Sequence, residues 1–90
     1  MSEQTQNNEV RHNPEEGRFD VRLGDELAVL EYELDGRDMV FTSTRVPEAH
    51  RGRGIATRLV KAGIDHARRE GYRIEPRCPF VKAYLRRHPE

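Results

Sequence analysis

The chain is short of cysteine, of aromatic rings, of long apolar runs and of net charge, and each shortage removes a class of protein. A single thiol, Cys78, leaves no internal disulfide framework and fits a reducing compartment. The longest apolar run is Leu27-Ala28-Val29-Leu30, far short of the roughly 20 residues that cross a bilayer. The N-terminus has no signal-peptide core, so the expectation is a soluble, cytoplasmic protein. Sixteen basic and sixteen acidic residues cancel, which argues against a nucleic-acid binder working by bulk charge. Aromatics at 7% leave few rings on which bases would stack. No group of His, Cys, Asp and Glu has metal-ligand spacing, and no metal site is expected.

Ninety residues hold one small domain, with 34% apolar against 36% charged. A chain of this size buries only about 60–65% of its unfolded surface, so the core must be economical. Residues 1–16 are polar and unpatterned apart from Val10 and read as a mobile leader, with His12 solvated in it. The domain proper is expected over residues 17–90.

Alternation begins at Phe19, Val21 and Leu23, a half-buried strand that ends at the turn Gly24-Asp25. Ala28, Leu30, Tyr32 and Leu34 make a second strand, closed by the hairpin pair Asp35-Gly36. Residues 39–46 form a third strand, rich in β-branched and aromatic side chains, which stops at Pro47. Ile55, Leu59, Val60, Gly63, Ile64 and Ala67 then recur as one apolar helical stripe. Arg68 and Arg69 suit the last turn of that helix, and Gly71 its C-terminal cap. Residues 73–77 form a short fourth strand, and a second helix opens at Pro79 and runs to about Arg87. The order β-β-β-α-β-α predicts an α+β domain with a mostly antiparallel sheet. A right-handed crossover through the long helix would make the third and fourth strands a parallel pair.

Chemistry concentrates in residues 46–56, where a strand runs through two glycines and two arginines into the helix. Glycine lets the backbone approach an anion, and the first amides of a helix have no partners inside it. The positive end of the helix dipole and the neighbouring guanidiniums add attraction for a diphosphate.

Arg51-Gly52-Arg53-Gly54-Ile55-Ala56 matches the (Q/R)-x-x-G-x-(G/A) acetyl-CoA signature of the GNAT superfamily of N-acetyltransferases. The segments RFDVRLGDELAVLEYELDG, VPEAHRGRGIATRLVKAGIDHARREGYRI and PRCPFVKAYLRRHPE occur in family order and resemble its small YjdJ-type branch. The resemblance implies a reduced GNAT fold, lacking the two helices that usually close over the acceptor. It also implies that the parallel strand pair flanks the CoA site.

On this resemblance the amides of Gly52, Arg53, Gly54, Ile55 and Ala56 would hold the CoA diphosphate, supported by the Arg51 and Arg53 guanidiniums. Backbone groups at Thr44, Arg45 and Val46 would pair with the pantetheine arm, and an amide there would polarise the thioester oxygen. Tyr84, six residues after Cys78 as in relatives, would protonate the departing CoA thiolate; packing against Phe80 is the structural alternative. Cys78 precedes Pro79 and so sits at the start of the second helix beside Arg77, a setting that lowers a thiol pKa. It would carry an acetyl group in a covalent route, or serve as a small buried hydrophobe.

Relatives often read His-Thr-x-Val where this chain has Ser43-Thr44-Arg45-Val46, so a His–Cys pair is in doubt here. His50, Glu31 or Glu33 would then serve as base, although all three read also as solvated surface residues. His88 belongs to the family ending without a catalytic assignment. The expected function is acetyl-CoA-dependent transfer of an acetyl group to an amine on a small molecule or protein. The alternative is a CoA-binding module with little catalysis. A nucleic-acid or protein adaptor using His50-Arg51-Gly52-Arg53 as a basic tip is the third reading, disfavoured by zero net charge.

Overall fold

The computed structural model describes residues 9–89. A short strand β1 (Arg11–Asn13) leads through a single 3-10 turn at Pro14–Glu16 into β2 (Arg18–Leu23). Strands β3 (Glu26–Asp35) and β4 (Asp38–Arg45) follow, each entered through a tight turn. Gly24 and Gly36 supply the left-handed residue of those turns, with φ of 66° and 60°. The long helix α1 (Ile55–Glu70), strand β5 (Arg73–Pro76) and helix α2 (Pro79–Arg87) complete the chain. One sheet results, in the order β1-β2-β3-β4-β5, antiparallel from β1 to β4 and parallel between β4 and β5. The predicted reduced GNAT architecture is therefore present, with one strand more at its start.

The core follows from the period of two in the strands and of 3.6 in the helix. Phe19 and Val21 on β2, Leu30 and Tyr32 on β3, and Met39 and Phe41 on β4 share one buried cluster. Onto it α1 lays Leu59, Val60, Ile64 and Ala67, and α2 adds Val81. Each fully buried large aliphatic contributes about 1.5–3 kcal/mol. Gly63 decides how close the helix comes to the sheet. A Cβ there would stand 2.8 Å from Leu30 Cδ2 and 2.9 Å from Phe41 Cε1, so only glycine permits this approach. The helix ends as the sequence predicts: Gly71 takes φ 80°, and Tyr72 N donates to Ala67 O at 2.9 Å.

The start of the chain departs from expectation. Residues 11–16 are strand and turn, so the domain begins before residue 17; residues 1–8 of the expected leader lie outside the described residues. Apolar periodicity missed β1 because polar groups hold it. Asp20 of β2, 1% exposed, accepts from Asn13 Nδ2 at 2.6 Å and from Arg18 Nε at 3.0 Å, with Arg11 Nε 3.9 Å away. His12, expected in solvent, instead stacks on Phe19 at a centroid distance of 4.2 Å, with Nε2 2.6 Å from the Tyr32 hydroxyl.

Candidate functional site

Strands β4 and β5 pair only over Asp38↔Arg73 to Phe41↔Pro76. Phe41 O then accepts from both Arg77 N and Cys78 N, each at 3.0 Å, and the ladder stops. Proline chemistry sets this limit. Pro76 has no N–H to offer, and Pro79 holds Cys78 extended at φ −74°, ψ 128° before α2 begins. On the other side of β4 the register to β3 slips between Glu31 and Tyr32, leaving Thr42 as an extra residue whose Oγ1 donates to Glu31 O at 3.3 Å. Such a bulge bends and twists its strand. β4 runs on to Arg45 without a β5 partner, so its edge faces an open gap.

Beyond β4 the chain makes one 3-10 turn at Glu48–His50 and enters the glycine loop. Gly52 and Gly54 both take left-handed conformations, φ 83° and 79°, which an L side chain adopts only with strain. Gly54 is the N-cap of α1, with no side-chain cap and no acidic residue in the first turn. The opening amides of the helix therefore keep their donors for something outside it. Ile55, 2% exposed, pins this end of the helix in the core.

Strand end, loop and helix start enclose a cleft of about 830 Å³, within the usual range of ligand pockets. Thr44, Arg45, Val46 and Pro47 form its strand wall; Gly52, Gly54, Ile55, Ala56 and Thr57 form its helix wall. Leu27, His50, Arg51 and Phe80 complete the lining, which among the described residues contains three basic side chains and no acidic one. Arg51 is fixed by its Nε, which donates to Val46 O at 3.0 Å and ties the loop to the strand.

Residues 18–90 match the family described as GCN5-related N-acetyl-transferase. The chain belongs to this family. Protein NATD1 of Mus musculus is 37% identical over 83 residues, covering 89% of this chain and 76% of that protein. Protein NATD1 of Gallus gallus is 37% identical over 84 residues, covering 90% of this chain and 76% of its own length. For Protein NATD1 of Homo sapiens the identity is 37% over 83 residues, covering 89% and 74%.

The sites expected for a GNAT domain fall at different distances from the cleft. Thr44, Val46, Arg51, Gly52, Gly54 and Ile55 line it, as does Ala56. Arg53 is exposed and stands outside the lining. Cys78 is buried and lies one hydrogen bond behind the strand wall, its Sγ 3.2 Å from Thr44 Oγ1. It is the N-cap residue of α2, yet its side chain makes no capping bond. Tyr84 also lies outside the lining and stacks on His88 at 4.4 Å. Its neighbour on α1 is Lys61, whose pKa is raised, chiefly by its hydrogen bond to Asp65.

Of the residues considered as bases, His50 lines the cleft and stands 3.5 Å from Glu26. Glu31 is held by Ser43 Oγ at 2.8 Å and Arg45 Nη2 at 3.3 Å, so it is more than a freely solvated strand residue. Glu33 is exposed on β3.

Two features escaped the sequence reading. Leu27 and Phe80, exposed apolar residues far apart in the chain, both line the cleft. His12, Phe19, Tyr32 and His66 form a ring cluster under the other end of α1, with His12 and His66 edge to face at 4.4 Å. Burial, and then His66, lowers the His12 pKa; burial, and then Tyr72, raises that of Tyr32. His12 lies opposite Phe19 in the β1–β2 pairing, and no local pattern in the sequence announces that pairing.

Proposed function

We propose that this GNAT domain transfers an acetyl group from acetyl-CoA to an amine. The observation that carries the reading is the uncapped, glycine-flanked start of α1 beside the unpaired end of β4. Amides of residues 52–56, with Arg51 and Arg53 nearby, suit a diphosphate. The free edge of β4 from Thr44 to Val46 suits the amide-bearing pantetheine arm, which would complete the interrupted ladder. A backbone N–H at Val46 would take the charge that develops on the thioester oxygen, a contribution of about 2.7–4 kcal/mol for one such donor.

In the direct route the neutral amine attacks the thioester carbon, the new C–N bond forms and the C–S bond breaks. The amine's surplus proton passes to a base, for which His50 in the cleft lining is the candidate, since Glu31 is taken up by Ser43 and Arg45. Tyr84 donates its proton to the departing sulfur. In the covalent variant a base takes the Cys78 proton and the thiolate attacks the thioester carbon. The C–S bond to CoA breaks, the CoA sulfur takes a proton from Tyr84, and Tyr84 regains one from the base. The amine then cleaves the acetyl-Cys78 thioester, and its surplus proton passes to the returning Cys78 thiolate.

A second reading is a CoA-binding module with little catalysis. It is favoured by Ser43 where relatives often carry histidine, and by the position of Tyr84 outside the cleft lining. Calorimetric titration with CoA, intact mass after incubation with acetyl-CoA, and CoA release across an amine screen separate the two. Binding with acceptor-dependent release supports the transferase. Binding without release across the screen supports the module, and no binding at millimolar CoA sinks both.

A further inference from the structure

Each of the three basic side chains of the cleft has a partner, and they differ in where that partner holds them. Arg51 spends its Nε on Val46 O within the loop, and His50 stands against Glu26. Arg45 is different. It ends β4 opposite Val29 of β3, so alternation turns it to the sheet face opposite Leu30 and Thr44, the face that also carries Leu27, Val29 and Glu31. That is the side away from the shared helical core and away from the Cys78 thiol.

Its guanidinium is held in place from behind. Ser43 Oγ donates to Glu31 Oε1 at 2.8 Å, and Arg45 Nη2 donates to Glu31 Oε2 at 3.3 Å. A guanidinium has five N–H donors in a planar fork, and one contact to Glu31 leaves an edge for a second anion. Among the described residues the cleft lining has no acidic side chain to compete for that edge. Beside it stands Leu27, 37% exposed, a contact for an apolar group.

We propose that Arg45, positioned by Ser43 and Glu31, binds the carboxylate of an acceptor that also carries an amine and an apolar body, the chemistry of an apolar amino acid. The inference rests on the acetyl-transfer reading and names the acceptor class for that same site. Arg45 grips the carboxylate through its free edge, Leu27 takes the apolar body, and the amine is left toward the Thr44–Val46 edge. Glu31 and Ser43 act through Arg45 and touch no acceptor.

The test compares leucine with isoamylamine, and phenylalanine with phenethylamine, pairs that differ by the carboxylate alone. CoA affinity is measured first on wild type and Arg45→Gln, followed by acceptor binding to the CoA-saturated protein and acetyl-CoA-dependent turnover. The proposal expects the carboxylate-bearing member of each pair to bind better by about tenfold or more. It expects Arg45→Gln to erase that preference and raise the acceptor KM while leaving CoA affinity unchanged. Arg45→Lys should restore part of the preference, and Glu31→Gln should raise the KM for leucine without changing that for acetyl-CoA.

Equal binding of both members, or an Arg45→Gln protein that keeps the preference, overturns the proposal. Loss of CoA affinity in Arg45→Gln assigns this side chain to CoA and overturns it equally. Absence of CoA binding in the wild type is a failure of the transferase reading instead. In that event the same amine pairs titrated into the bare protein still decide whether Arg45 is a carboxylate site.

Discussion

Thr44 Oγ1 and Cys78 Sγ lie 3.2 Å apart, joining the unpaired end of β4 to the first residue before α2 across 34 positions of sequence. Thr44 faces the cleft and Cys78 stands behind it, 4% exposed. The thiol is therefore directed at the Thr44 hydroxyl rather than at the amides of its own helix. For a covalent route this places the nucleophile beside the proposed path of the thioester, and for a direct route it makes Cys78 part of the wall.

Intact mass after incubation with acetyl-CoA separates these two roles. The covalent route predicts an acetyl adduct on the wild type and none on Cys78→Ala, together with loss of turnover in the variant. A wild type without adduct, and a Cys78→Ala protein that turns over at a normal rate, assign transfer to direct attack.

Gly54→Ala is expected to weaken CoA binding by about tenfold or more through the N-cap position beside the proposed diphosphate site. The protein itself has open space around a Cβ there, so the stability loss comes from the φ of 79° alone. That cost is about 1–2 kcal/mol, a Tm decrease of about 4–8 °C per kcal/mol for a domain this small. Gly54→Asn, which tolerates the left-handed region better, should recover stability without recovering affinity. Full CoA affinity in Gly54→Ala would remove this loop from the CoA site.

Gly63→Ala tests how tightly α1 is packed. Alanine favours a helix over glycine by about 0.8–1.0 kcal/mol, but its methyl would meet Leu30 Cδ2 at 2.8 Å and Phe41 Cε1 at 2.9 Å. Overpacking costs about 1–3 kcal/mol, so the net effect is a loss of stability in denaturant titration. A gain would mean that α1 lifts from the sheet without cost.

The His12 cluster gives the domain a pH dependence. The folded-state pKa of His12 is lowered, first by burial and then by His66, so the unfolded chain binds the proton more readily. Stability is then complete above the ordinary histidine value of about 6.5 and falls as pH drops through the depressed value. Tm measured from pH 7 down to pH 5 should decrease, and His12→Phe, which keeps a ring on Phe19, should flatten that slope. An identical slope in the variant would place the titration elsewhere.

The chain's own pattern determined the scaffold. Phe19, Val21 and Leu23, then Ala28, Leu30 and Tyr32, state their strands by local alternation, and the stripe from Ile55 to Ala67 states its helix. Residues 51–56 announced the loop because glycine, arginine and a helix start are adjacent in sequence. Tertiary structure alone decided the rest. The strand β1 is held by Asp20, Asn13 and Arg18 rather than by apolar periodicity, and it brought His12 out of the expected solvent onto Phe19. Leu27 and Phe80 share a cleft, and Cys78 turned to Thr44 while Tyr84 turned to His88. A sequence records which side chains are apolar and how they repeat, because burial acts on each position in turn. Which polar group meets which depends on strand register, on the bulge at Thr42 and on where β5 leaves β4, and those are set only when the whole sheet closes.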